Sequence, residues 1–241
     1  MVYMFDIDGT LTYPLQKMGT DLTTWFLSWM NNKKVYLVGG SDKNKIDRQI
    51  PASVGNRCMG IFSCMGNELW KGGEIVYENS FNPPPQLTEM LISFQMYTKF
   101  PVRCKIGGRG KIIEHRTGML NFTTIGRNAD EQERLKYYEW DKENGERKLI
   151  AEAVEKDFPE LEAKVGGQIS IDIQPKGYNK SQASKWVREK VDKDIVFIGD
   201  KCSPKGNDYD IYIDVLNNGG KAFETSGPRE TMNILERKIN L

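Results

Sequence analysis

The sequence predicts an α/β fold: a Rossmann-like core on a parallel sheet, interrupted by an inserted α+β domain. Three observations carry this. Strand, helix and strand patterns follow one another over residues 2–38, the grammar of a right-handed βαβ unit. The same grammar returns over residues 179–238. Between them, Pro83-Pro84-Pro85 and Gln174-Pro175-Lys176-Gly177 bracket a stretch of different texture. The expected boundaries put residues 1–81 and 178–241 in the core and 82–177 in the insertion, and 241 residues suffice for two domains with separate cores.

Each element has its own warrant. Val2 to Phe5 is a short apolar run, as a strand buried on both faces requires. Leu22, Trp25, Phe26 and Trp29 recur at helical spacing over residues 20–31, with Thr20 or Asp21 near the N-cap. Val35 to Val38 reads as a second buried strand that ends at Gly39-Gly40-Ser41-Asp42. In the insertion, Ile112, Glu114 and Arg116 alternate with Lys111, Ile113 and His115. Ile169, Ile171 and Ile173 alternate with Ser170 and Asp172, which puts the two polar residues on one face. Asp130 and Glu133 fit a capping box ahead of a long helical pattern through Leu135, Tyr138, Leu149 and Ile150. Asn179 can cap a helix over 180–191, Ile195 to Ile198 is a buried strand, Ile211-Tyr212-Ile213 predicts another, and Pro228 opens a last helix.

Composition excludes several classes. No apolar run approaches the ~18–20 residues of a spanning helix, so no membrane segment is expected. The N-terminus has no basic region and no cleavage site, so it is not read as a secretory signal. Cys58, Cys64, Cys104 and Cys202 lack both metal-type and scaffold-type spacing, and free thiols in a reducing cytoplasm are expected. A formal net charge of +1 argues against a protein devoted to gripping polyanions. His115 is the one histidine, so the chemistry must rest mainly on carboxylates, Lys or Arg.

Asp6-Ile7-Asp8-Gly9-Thr10 is the sharpest signal. Two acids two residues apart, just past a buried strand, point the same way at the edge where open parallel sheets bind ligands. One carboxylate can attack phosphorus; the other can protonate the leaving oxygen and later deprotonate the acceptor. The bland alternative is an acidic turn, since Asp-Gly is a common turn dipeptide. The motif resembles that of the haloacid-dehalogenase (HAD) phosphotransferases. That resemblance implies a phosphoryl-holding Ser or Thr after the second strand, matched by Ser41. It implies a Lys at a helix start, matched by Lys180, and acids after a later strand that hold Mg²⁺ with Asp6 and Asp8, matched by Asp200 and Asp208. Hard carboxylate oxygens suit Mg²⁺, and phosphoryl transfer is mostly positioning and charge neutralisation.

Within residues 99–136, nine Lys and Arg, among them Arg103, Lys105 and Arg109, face four acids. A solvated face, a nucleic-acid patch and a small anionic ligand held by Arg forks all remain open, the nucleic-acid patch weakened by the lack of interleaved aromatics. Arg116-Thr117-Gly118-Met119-Leu120-Asn121, Ile125-Gly126-Arg127, Glu133-Arg134 and the run from Gly166 to Asp172 resemble the cap of the eukaryotic-type phosphomannomutases. So do Gly199-Asp200-Lys201 and Gly206-Asn207-Asp208. The resemblance implies a C2b-like cap in which Arg116, Arg127, Arg134, Ser170 and Asp172 bind the sugar phosphate. It also implies a second, structural cation site at Tyr212 (backbone), Asp214 and Asn217. Two positions depart from the family: Leu15 stands where it carries an Arg, and Gly66-Asn67-Glu68 replaces its Glu-Asn-Gly.

The implied function is Mg²⁺-dependent interconversion of mannose 6-phosphate and mannose 1-phosphate. Asp6 would be nucleophile, Asp8 general acid/base, Ser41 and Lys180 phosphoryl-holding groups, and a hexose 1,6-bisphosphate the activator. Partners would be hexose phosphates rather than nucleic acid or membrane, and the family commonly forms homodimers through its cap. Two alternatives stand beside it: a sugar-phosphate phosphatase of the same superfamily, motivated by Leu15, and a non-catalytic binder of phosphosugars or nucleic acid.

Overall fold

The computed structural model describes residues 1–14, 16–100, 111–204 and 206–237. Of the residues singled out above, Leu15, Arg103, Cys104, Lys105 and Arg109 lie outside these. In chain order the first elements are β1 (Val2–Phe5), α1 (Thr20–Trp29), β2 (Lys34–Val38), α2 (Lys43–Gln49), α3 (Ala52–Gly55), β3 (Gly60–Ser63), β4 (Glu68–Lys71) and β5 (Glu74–Glu78). Then come α4 (Pro85–Met96), β6 (Ile113–Arg116), β7 (Met119–Phe122), α5 (Glu131–Asn144), α6 (Glu146–Asp157), β8 (Leu161–Gly166) and β9 (Ser170–Pro175). The last are α7 (Ser181–Lys190), β10 (Ile195–Gly199), α8 (Tyr209–Asn217), β11 (Lys221–Glu224) and α9 (Pro228–Arg237). No helix among the described residues is long and apolar enough to cross a membrane.

The chain divides into two compact units, one of residues 1–79 with 177–241, the other of residues 80–176. The first unit holds a sheet of order β11-β10-β1-β2-β3-β4-β5, parallel as far as β3 and antiparallel beyond it. β1 sits between β2 and β10, and its alternation explains why it is apolar throughout. Tyr3 and Phe5 face one core with Leu22, Phe26 and Leu235, while Val2 and Met4 face the other with Val187, Ile211 and Val215. Burial of each such side chain contributes about 1.5–3 kcal/mol. Phe5 and Phe26 meet edge to face at 5.2 Å, locking α1 onto the sheet. With both faces covered, the carboxyl ends of β1, β2 and β10 form one open rim, and the residues just past them line it.

One expectation fails here for an identifiable reason, and one boundary moves by a residue. Ile211-Tyr212-Ile213 is helical, part of α8. Three apolar residues are too few to set a period, whereas the buried pair Ile211 and Val215 lies at helical spacing. The neighbouring strand is β11 instead. Asn179 accepts from the backbone N–H and hydroxyl of Ser181, but α7 begins at Ser181, one residue later than the reading from 180.

The second unit is an antiparallel sheet of order β6-β7-β9-β8. Leu120, Phe122, Ile171 and Ile173 pack on one face against Leu87, Leu91, Ile150 and Val154 of α4 and α6. The Asp130–Glu133 capping box forms, yet the pattern after it is not one helix. Gly145, at φ 66°, ends α5 and starts α6 in the left-handed conformation that glycine adopts without penalty. Leu135 and Leu149 are exposed, Ile150 is buried as the pattern requires, and Tyr137 is buried beside the half-buried Tyr138.

Candidate active site

Asp6 follows β1 and its N–H bonds the Ile198 carbonyl of β10, which fixes its side chain at the sheet rim. It is 3% exposed. Its Oδ1 accepts from Lys180 Nζ at 2.5 Å and its Oδ2 from Thr10 Oγ1 at 3.2 Å. Lys180, completely buried, also donates to Asp208 Oδ1 at 2.6 Å. The other oxygen of Asp208 accepts the N–H groups of Asp200 and Lys201, both at 3.1 Å. Burial pushes the Asp6 carboxyl up to about 7, helped by Asp208 and opposed by Lys180. Burial would lower the Lys180 ammonium, but Asp6 and Asp208 outweigh it and hold Lys180 above its usual range.

Carboxylate oxygens of Asp6, Asp200 and Asp208 lie within 4.8 Å of one another. Asp200 Oδ1 is buried with no hydrogen-bond donor, and burial likewise raises that carboxyl. Three acids around one ammonium, with a buried acceptor left over, fit a small hard divalent cation. Gly9, at φ 87°, lets the chain turn here; a Cβ on it would stand 2.1 Å from Asp200 Oδ2.

Asp8 lies outside that cluster of three. Its Oδ1 accepts from Gln49 Nε2 at 2.7 Å. Ser41 follows β2 on the same rim, half-buried, its carbonyl accepting from Cys64 N–H at 2.8 Å. Tyr212, Asp214 and Asn217 share helix α8. Asp214 Oδ2 accepts from Ser184 Oγ and Arg188 Nη2, both at 2.6 Å. One oxygen of the carboxylate that a second cation would use is thus engaged by a guanidinium and a hydroxyl.

In the second unit a polar row crosses the sheet on the face opposite its core: Glu114, Asn121, Asp172 and Lys164 are register partners. Asn121, itself buried, donates to Asp172 and accepts from Arg127. Glu114 Oε2 accepts from Arg127 Nη2 at 2.7 Å and from Arg116 Nε at 2.8 Å. Arg116, Arg127 and Asp172 thus belong to one network, and Ser170 stands two residues from Asp172 on the same strand face. Arg127 Nε is buried without a partner, an unspent donor suited to an anion. Arg134 is held differently, bonding the carbonyls of Ala129 and Arg127 at 2.8 and 2.7 Å and so bracing the loop that carries Arg127.

Gln49 and Asn121 are the site-lining residues that sequence reasoning passed over. Each is an uncharged amide with little to mark it: Gln49 lies three residues after the core residue Ile46, and Asn121 sits on the polar face of an otherwise apolar strand. Cysteine chemistry is not favoured. Cys58, Cys64 and Cys202 are free, and burial pushes the thiols of Cys58 and Cys64 up to about 12.

Residues 23–241 match the model of a family described as eukaryotic phosphomannomutase. A phosphomannomutase of Saccharomyces cerevisiae is 32% identical over 246 residues, covering 99% of this chain and 94% of its own. Phosphomannomutase 1 of Dictyostelium discoideum is 30% identical over 238 residues, covering 97% and 94%. Among solved structures, a haloacid dehalogenase-like hydrolase from Bacteroides thetaiotaomicron matches at a TM-score of 0.61 with 12% identity, covering 98% of each chain. That last likeness speaks for the fold.

Proposed function

Because the chain belongs to the eukaryotic phosphomannomutase family of the haloacid dehalogenase superfamily, we propose that it interconverts mannose 6-phosphate and mannose 1-phosphate through a phosphoryl group carried on Asp6. The observation that carries this reading is the buried Asp6–Lys180–Asp208 array at the sheet rim.

An oxygen of Asp6 attacks phosphorus while the P–O bond to the sugar breaks. Asp8 gives its proton to the departing sugar oxygen and takes one back from the accepting hydroxyl in the reverse half-reaction. Lys180 and Thr10 fix the rotamer of Asp6 and leave it little freedom to lose at attack. Ser41, after β2 on the same rim, hydrogen-bonds the transferring group. Asp6, Asp200 and Asp208 would hold Mg²⁺, which would supply the positive charge that lets an anionic nucleophile approach an anionic phosphate. Arg116, Arg127, Ser170 and Asp172 bind the sugar phosphate, with Arg134 holding Arg127 in place. A hexose 1,6-bisphosphate primes the cycle by charging Asp6.

A phosphatase reading has one observation in its favour, Leu15 in place of the family's Arg. One assay separates the two. Mannose 1-phosphate, Mg²⁺ and a trace of glucose 1,6-bisphosphate are supplied, and isomer and free phosphate are measured together. Isomer without phosphate is the expected result. Phosphate as the main product overturns the mutase reading, and neither product overturns both.

A further inference from the structure

Gln49 is the last residue of α2 and is 4% exposed. Ile46, three residues before it on the same helix, and Ile50, directly after it, are both core residues, and the position is buried enough to suit an apolar side chain. Its backbone carbonyl accepts from Met18 N–H at 2.8 Å, which anchors the end of the helix. Every hydrogen bond of its side chain leaves from Nε2 and ends on the loop after β1: 2.7 Å to Asp8 Oδ1 and 3.5 Å to Thr12 Oγ1. The other end of the amide, Oε1, is buried with no partner. A half-satisfied buried amide lowers stability. Stability does not explain its presence; the contact it makes does.

We propose that Gln49 is a positioning residue that holds the carboxyl of Asp8 in the orientation needed to pass a proton to the leaving sugar oxygen. This rests on the reading of Asp8 as general acid/base. The side chain is buried and its backbone is anchored by the bond from Met18 N–H, so the amide is a rigid mount for Asp8, whose own strand has already ended at Phe5. Thr12 receives the second N–H of the same amide and its own hydroxyl bonds the Ile7 carbonyl at 3.2 Å, tying both ends of the Asp8 turn together.

Leaving-group chemistry tests this. A sugar alkoxide must be protonated as it departs; 4-nitrophenolate need not be. Wild type, Gln49→Met and Asp8→Asn are compared on hexose 1-phosphate and on 4-nitrophenyl phosphate. The expected result for Gln49→Met is a fall in kcat of about 10–100-fold on the sugar, with KM moved by less than about 3-fold, and a much smaller fall on the aryl ester. Asp8→Asn should show the same bias more strongly. Thermal stability of Gln49→Met should stay level or rise. The ratio of the two activities does not depend on the fraction folded, and Gln49→Leu serves if the Met variant does not fold. Equal losses on both esters for the Gln49 variants, with Asp8→Asn still biased, overturn the positioning role alone. An unbiased loss in Asp8→Asn overturns the acid/base reading itself and the positioning role with it.

Discussion

Lys180 Nζ and Asp208 Oδ1 stand 2.6 Å apart, and solvent reaches neither residue. The same ammonium serves Asp6, so one buried positive charge answers two carboxylates, with Asp200 alongside. The arrangement is short of positive charge, and that shortage governs several of its expected behaviours.

Lys180→Met removes the cation from between two buried acids. Breaking a buried pair in this way costs about 3–5 kcal/mol. Urea unfolding of the metal-free protein should show a loss of that order, and turnover should vanish even where the variant remains folded.

The Asp6 carboxyl lies at about 7 in the folded metal-free protein against 3.8 ordinarily. The folded state then keeps a proton that the unfolded chain has lost. Its contribution to stability is full below about pH 4 and is lost as pH rises through about 7. A divalent cation competes for the same oxygens, so the rise in melting temperature on adding MgCl₂ should be larger at about pH 8 than at about pH 5. A pH-independent rise would mean that the cation binds away from Asp6.

Asp6→Asn should abolish turnover and acid-stable, hydroxylamine-sensitive labelling from a phosphoryl donor. It should not destabilise the metal-free protein at about pH 8, because it removes a carboxyl that burial already disfavours in its charged form. Retained labelling would assign the nucleophile elsewhere.

Asn121→Leu unties Arg127 from Asp172. A hydrogen bond to a charged group is worth about 1.5–3 kcal/mol, so the KM for hexose phosphate should rise by about 10-fold or more with kcat less affected. Initial-rate kinetics over a range of substrate concentrations measures the split.

Two glycine substitutions should behave oppositely. Gly9→Ala would drive a methyl into Asp200 and should abolish activity. Gly145→Ala meets nothing within 4 Å and should cost only the left-handed backbone penalty of about 1 kcal/mol, with kinetics unchanged. Chemical denaturation and turnover assays on both variants check this.

The strands around β1 were legible because a strand covered on both faces must be apolar without interruption, and Val2–Phe5, Val35–Val38 and Ile195–Ile198 are. β5 was not, since Ile75 and Val76 are exposed at an edge and no burial pattern marks them. The acids that gather at the rim were legible from chemistry, being charged residues directly after buried strands. Gln49 and Asn121 were not, because an amide carries no charge and reveals itself only by what surrounds it in three dimensions. Arg188 escaped although charged, because nothing in its helix announces that it will meet Asp214 of α8.

β1 pairs along its length with β10, and Val2 lies opposite Ile195. On the ribosome, β1 must therefore wait until β10 has been made before its second neighbour exists. Residues 80–176, contiguous and antiparallel, can close in the meantime, while one edge of the earlier strand stays unprotected. Nascent chains halted before residue 195 should accordingly bind holdase chaperones through residues 2–38, and substitutions in β10 should lower yield during synthesis more than they lower the stability of the finished molecule.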